Sequence, residues 1–221
     1  MPPKLTAEER EARRRRVLRA ASELYAEKGL NSTTLDEIAE RAQVSGASEI
    51  SRLFRQKSYK ETILIEIFRL NWRYVLGVTR NIANNSSRNA RQKLLLIYRR
   101  ILERIIKSGS FGIVFAMEGR KHGSLGVKLI GTGAIEFAVL IDGIIQEGQQ
   151  TKIFLPNLNV QAIRQMLIGC CENIVLGLIW QTRAPHLANY TLDDAYRALE
   201  AILDGISVKI SQMDTEKEQA R

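Results

Sequence analysis

Between Thr34 and Lys57 the chain reads TLDEIAERAQVSGASEISRLFRQK, and this stretch limits the fold more than any other. Thr34 and Glu37 form a capping box, in which the hydroxyl accepts from a free N–H and the carboxylate reaches back. Leu35, Ile38, Ala39 and Ala42 recur at helical spacing and make the inner face of one short helix. Gln43, Val44 and Ser45 form a turn, with Val44 plugging the core and Ser45 free to cap the next helix. That second short helix turns Ala47, Ile50, Leu53 and Phe54 inward. It turns Gly46, Ser48, Glu49, Ser51, Arg52 and Arg55 outward. A face that is short and polar at its N-terminal end and basic further on suits a helix lying in a major groove. The pattern is also that of an ordinary amphipathic helix, so its surroundings have to decide.

Those surroundings are basic. The 221 residues carry 33 Lys and Arg against 24 Asp and Glu, a formal charge of +9, which favours an anionic partner. Upstream, Val17, Leu18, Ala21, Leu24 and Tyr25 define a helix that stops at Gly29. The run Arg13 to Arg16 opens that helix, after a loose arm over residues 1–8. Its arginines are either phosphate contacts or partners of Glu9 and Glu11 in i,i+4 pairs. Downstream, Ser58 with Glu61 caps a long helix to about Ile82. Lys57 stands just before that helix start, where free N–H groups suit a phosphate.

From Ala90 onward the periodicity is helical throughout, giving an all-α fold of about nine helices. Leu94 to Ile106 is one wide apolar face, Phe111 to Glu118 a short apolar helix, and Leu125 to Gln149 a longer one. Glycines 131, 133 and 143 weaken that last helix and mark places where another helix or a ligand comes close. Asn159 to Thr182 is too apolar for the surface of a monomer. Thr191 and Asp194 cap a final helix to about Ile210. No clean apolar window of about 18 residues is found, so no spanning helix is expected, and MPPKLTAEEREARRRR contains no apolar signal core. Cys170 and Cys171 are adjacent in a helical run, point about 100° apart and read as packing thiols in a reducing, cytoplasmic setting.

Enzyme chemistry finds little support. Glu118 and His122 have an i,i+4 metal-ligand spacing, but glycines 119 and 123 beside a basic stretch favour an exposed histidine without a metal. No nucleophile triad, phosphate-cradling glycine motif or cysteine cluster occurs, and no cofactor is called for. A membrane-surface role for the basic first helix competes with the need of its apolar face for the fold.

ARRRRVLRAASELYAEKGLNSTTLDEIAERAQVS, with Phe54, Lys57 and a long helix behind it, resembles the N-terminal domain of TetR-family transcriptional regulators. Ala20-Ala21, Tyr25, Gly29, Thr33-Thr34, Ile38-Ala39 and Val44-Ser45 carry the likeness in order across about residues 10–64. Two positions depart from the family pattern. Val44 and Phe54 stand one residue further apart, and Ser51 occupies the place of a phosphate-binding tyrosine.

The resemblance implies a three-helix helix-turn-helix head over 1–57 and an effector-binding and dimerisation domain over 58–221. It implies a homodimer formed through the last two long helices, double-stranded operator DNA as partner, and a small-molecule effector. The DNA-binding residues expected are Arg13, Thr33, Thr34, Ser45, Gly46, Ser48, Glu49, Ser51, Arg52, Arg55 and Lys57. Among these Ser48, Glu49 and Arg52 are the base readers, with Glu49 as readily a helix-terminal carboxylate. The apolar residues available to an effector are Trp72, Phe111, Phe115, Met117, Phe137, Ile141, Cys170 and Trp180. Core packing competes for each of them. The expected effector is apolar or amphipathic, such as a fatty acyl group. A TetR-like protein that has lost operator binding through the added residue and the missing tyrosine is the alternative.

Overall fold

A computed structural model describes residues 6–54, 58–119, 124–181, 186 and 188–208. Among them the chain forms α1 (Ala7–Ser32), α2 (Leu35–Arg41), α3 (Ala47–Leu53), α4 (Tyr59–Ala83), α5 (Ala90–Lys107), α6 (Ser110–Glu118), α7 (Ser124–Gln150), α8 (Val160–Gln181) and α9 (Leu192–Gly205). The all-α expectation holds among the described residues, where one isolated antiparallel bridge, Phe154 to Ser207, is the extended pairing seen.

The helix boundaries follow from caps. Thr6 with Glu9, Thr34 with Glu37 and Thr191 with Asp194 each form a reciprocal capping box. The first of these corrects the end of the loose arm expected over residues 1–8, of which 1–5 lie outside the described residues: α1 begins at Ala7, and Arg13 to Arg16 lie well inside it. Gly29, at φ 84°, breaks the helical path of α1 where a stop is expected, and a short turn carries it to Ser32. α9 stops at Gly205, short of the expected Ile210, and the strand-like bridge comes at once after it.

Two compact units result: Met1–Arg73 with Ser108–Gly133, and Tyr74–Lys107 with Ala134–Arg221. In the first, α1 packs on α2, α3 and α6. Val17, Ala21, Tyr25, Ile38, Ile50, Phe54, Ile63 and Leu64 are essentially sealed there. Each large apolar side chain so buried contributes about 1.5–3 kcal/mol before the entropy of ordering the chain is set against it. The Tyr25 hydroxyl donates to the Lys60 carbonyl. The Lys60 ammonium donates to the carbonyls of Leu30, Asn31 and Thr33 at 3.0–3.2 Å, satisfying acceptors that the end of α1 leaves open. α6 joins this unit through a Ser22–Ser110 hydroxyl bond of 3.1 Å and through Phe68, Phe111 and Phe115, whose rings stand about 6 Å apart.

In the second unit α5 packs against α8 and α9. Leu94, Ile97, Tyr98, Leu102, Ile141, Ile145, Leu167, Leu199 and Leu203 form its core. Lys93 is buried and donates to both carboxylate oxygens of Glu147 at 2.8 and 2.7 Å. Tyr190 folds over α8 at Gly177 and donates to the Ile174 carbonyl.

α8 corrects the expectation that no helix could span a bilayer. It is long and apolar enough by length and composition, because its charges, Arg164 and Glu172, are few. Buried on it are Ile163, Leu167, Cys171 and Val175, whereas Met166 and Trp180 are about half exposed.

Candidate nucleic-acid interface and effector site

The turn between α2 and α3 is built on two residues of positive φ, Gln43 at 54° and Gly46 at 121°. Gly46 is the N-cap of α3 and supplies no side-chain cap. Its φ is one that residues other than glycine rarely adopt. The expected capping by Ser45 is therefore replaced. Ser45 donates its backbone N–H and its hydroxyl to the Glu49 carboxylate, at 2.9 and 2.6 Å. Arg13 of α1 donates to the other Glu49 oxygen at 2.7 Å. Burial raises the Glu49 pKa, but the Ser45 hydroxyl, the Arg13 guanidinium and the Ser45 N–H outweigh it and hold the group at about 2. A buried carboxylate with both oxygens engaged ties the start of α3 to α1. With Gln43 and Gly46 at positive φ in the turn, Ile50 and Phe54 lie in the core.

The expected DNA-facing residues divide accordingly. Ser48 and Arg52 are exposed on α3, and the Arg52 Nε donates weakly to the Ser48 carbonyl at 3.3 Å. Ser51 is half-buried and spends its hydroxyl on the Ala47 carbonyl. Thr34 is exposed and caps α2. Two residues turn inward instead of outward. Thr33 is buried with its hydroxyl on the Gly29 carbonyl, and Glu49 is buried as described, the helix-terminal alternative for it. Arg13 is engaged by Glu49. Arg55 and Lys57 lie outside the described residues, as does His122.

Sequence reasoning missed Arg14. It donates to the Leu53 carbonyl, lies 4.4 Å over the Phe54 ring and pairs with Glu66. Of the run Arg13 to Arg16, that leaves Arg15 and Arg16 exposed, with Arg10, Arg19 and Lys28 the other exposed cations of α1. Nothing in a one-dimensional run of four arginines separates the two that brace from those that face solvent.

The apolar candidates fall into two groups. Trp72, Phe111, Phe115 and Met117 belong to the first unit. There the Trp72 indole donates to the Leu129 carbonyl and is closely apposed to Gly133, while Met117 is exposed. Phe137, Ile141, Cys170 and Trp180 belong to the second unit. Phe137 stands edge-on to Tyr98 at 6.5 Å, Ile141 is sealed, Cys170 is half-buried and Trp180 is exposed. Both cysteines are free, and burial pushes the Cys171 thiol up.

This second unit also contains polar atoms that the sequence did not flag. Arg164 of α8 donates to Asp142 Oδ2 of α7 at 3.0 Å. The remaining Asp142 Oδ1, the Arg164 Nε and the Tyr98 hydroxyl of α5 are buried with no hydrogen-bond partner among the described residues. Leaving such an atom unpaired costs about 1–3 kcal/mol. Burial drives the Tyr98 pKa well up, with the Cys171, Arg164, Cys170 and Asp142 groups acting on the same hydroxyl. Elsewhere on this unit an open surface cleft of about 460 Å³, lined in part by Leu95, Leu96, Arg99 and Tyr196, holds none of the expected effector residues. Among the described residues no group of His, Cys, Asp and Glu is arranged to hold a metal ion.

A trihelical head that presents a short, braced, solvent-facing helix is the frame of a helix-turn-helix DNA-binding protein. Residues 17–67 match the model of bacterial regulatory proteins of the tetR family, and residues 72–197, more than half of the 221, match the C-terminal region of YsiA-like proteins. The chain belongs to the TetR family of transcriptional regulators. It is 24% identical over 160 residues to the fatty acid metabolism regulator protein of Bacillus subtilis, covering 72% of this chain and 79% of that one. Its fold is similar to that of FadR from B. subtilis in complex with stearoyl-CoA, with a TM-score of 0.71, 24% identity, and coverage of 86% and 96%. FadR from Bacillus halodurans gives 0.71 at 20% identity, covering 91% and 96%. The ketosteroid regulator KstR2 of Mycobacterium tuberculosis gives 0.68 at 18%, covering 89% and 96%. The chain is a DNA-binding, ligand-responsive regulator, and the alternative of a TetR-like module without operator binding is not favoured.

Proposed function

We propose that this chain represses transcription by occupying a near-palindromic operator as a homodimer, and that a long-chain acyl thioester releases it. The head over 1–57 binds DNA and the remainder, 58–221, binds effector and partner subunit. The observation that carries the effector class is the C-terminal match over 72–197 together with a relative named for fatty acid metabolism. The FadR structure that contains stearoyl-CoA supports the same class. The chain catalyses no reaction in this reading and works in the cytoplasm, where operator and acyl-CoA meet.

Ser48 and Arg52 read bases, and Thr34, Ser51, Arg15 and Arg16 contact phosphates. Glu49 and Thr33 hold the reading helix in place rather than touching DNA. Arg55 and Lys57 are kept from the sequence reading as further phosphate contacts. The dimer, formed through α8 and α9, presents two heads about 34–36 Å apart, one DNA turn. Acyl thioester binding tilts α4 and spoils that spacing. A coupling of about 1–3 kcal/mol gives a 5- to 150-fold loss of operator affinity.

Selection of bound DNA from a random pool at fixed salt tests the first half of the proposal, because nonspecific binding is so strongly salt-dependent. A palindromic motif is expected, and stearoyl-CoA should release it while free CoA does not. Recovery of no two-fold motif, or an operator complex indifferent to stearoyl-CoA, refutes the corresponding half.

A further inference from the structure

The Tyr98, Asp142 and Arg164 cluster has a donor and acceptor pattern that specifies what could satisfy it. Among the described residues two buried donors lack a partner, the Tyr98 O–H and the Arg164 Nε–H, as does one acceptor, Asp142 Oδ1. They come from α5, α8 and α7 of one compact unit. Around them the walls are apolar: the Phe137 ring stands against Tyr98, and Ile141, the neighbour of Asp142 in the chain, is sealed. A few convergent polar groups in an apolar interior are the usual composition of a ligand site.

Charge narrows the choice further. The Arg164 guanidinium is already neutralised by Asp142 at 3.0 Å. A free carboxylate entering here would bring a net negative charge into an apolar interior, which is strongly disfavoured. A carbonyl oxygen is an acceptor for donors of this kind and adds no charge. We propose that Tyr98 and Arg164 anchor the carbonyl oxygen of a neutral acyl group, and that Asp142, by cancelling the arginine charge, excludes the free acid. This rests on the acyl thioester reading above and deepens it by naming the residues that recognise the thioester.

The test compares stearoyl-CoA, its thioether analogue with a methylene in place of the carbonyl, and free stearate. Binding to the full-length protein is read by calorimetry. Tyr98→Phe removes a hydroxyl with no hydrogen-bond partner among the described residues, so the melting temperature should not fall. Stearoyl-CoA should bind this variant about tenfold more weakly, in keeping with the loss of one buried hydrogen bond, while the thioether binds both proteins alike. Asp142→Asn leaves the arginine charge uncancelled, so the preference for stearoyl-CoA over stearate should narrow by about tenfold or more. A role confined to packing moves neither ratio.

Wild-type binding of stearoyl-CoA that Tyr98→Phe leaves unchanged overturns the anchor alone, and points to a buried water as the missing partner. A thioether that binds the wild type as tightly as the thioester overturns it too. Absence of stearoyl-CoA binding to the wild type overturns the effector class and the anchor with it.

Discussion

Glu49 decides how α3 is held. With both carboxylate oxygens engaged by Ser45 and Arg13, it joins the turn, α3 and α1. Glu49→Gln keeps the shape but loses the charge, and should cost about 1–3 kcal/mol in urea unfolding. The folded carboxyl has a pKa of about 2 against an ordinary 4.5. Its contribution is therefore complete above about pH 5 and is lost as acid carries the group down toward pH 2. The difference between wild type and Glu49→Gln should shrink over that window, and a difference that stays constant with pH would contradict the ionic role. The contacts proposed for DNA separate by a similar single-residue logic. Arg52→Ala should relax one base position at a cost of about 1–3 kcal/mol, whereas Arg15→Ala should weaken all sequences alike and lower the salt slope by about one. Competition binding to operator and scrambled DNA at several salt concentrations distinguishes the two. At this scale the sequence was only partly legible. The outward positions of Ser48 and Arg52 follow from helical period alone. The inward turn of Glu49 does not, because it depends on an arginine 36 positions earlier. The same is true of Arg14, whose partners Leu53, Phe54 and Glu66 all lie far along the chain.

The helices themselves were legible where a local chemical signal starts or stops them. Thr34 with Glu37 and Thr191 with Asp194 are four-residue patterns, and both form the boxes they predict. Thr6 with Glu9 is the same pattern, masked in the sequence by the basic run behind it. What local pattern cannot reveal is which glycine is required. Gly133 of α7 is one, since a Cβ there would run into the Trp72 indole of α4. Gly143, on the same helix, meets nothing. Gly143→Ala should therefore be neutral or stabilising by up to about 1 kcal/mol through helix propensity. Gly133→Ala should destabilise by about 1–3 kcal/mol through overpacking. Thermal melts of the pair read the contrast, and equal effects would refute the close approach of α7 and Trp72. Lys60 links two elements in a comparable way. It closes the end of α1 from the first turn of α4 by donating to three carbonyls.

At the scale of the whole molecule, the apolar character of α8 has to be reconciled with its exposure. A helix with Met166 and Trp180 open to solvent, and with four of its residues buried, exposes more apolar surface than a stable monomer usually tolerates. The same surface is what a C2 dimer needs, because in an isologous contact each subunit offers one patch to its copy. The positions 166, 170, 173, 177 and 180 lie along one side of α8 at spacings of three and four. They bring Met166, Cys170 and Trp180 onto a common stripe with Asn173 between them, while Gly177 on the same side is covered by Tyr190 of its own chain. In such a contact the exposed Met166 and Trp180 supply the apolar area. The dimer contact proposed above accounts for an α8 that is long and apolar enough to cross a membrane in a family of DNA-binding regulators. Placing a charge on it should dissociate the dimer without disturbing the fold, because the altered side chains are outside the core of the subunit. Met166→Asp with Trp180→Asp should give a monomer by sedimentation, with helical circular dichroism retained and a melting temperature no longer dependent on protein concentration. Operator affinity should fall steeply, since a single head keeps only half of the contacts, whereas binding to a half-site should change little. A double variant that remains dimeric would move the subunit interface off this stripe of α8.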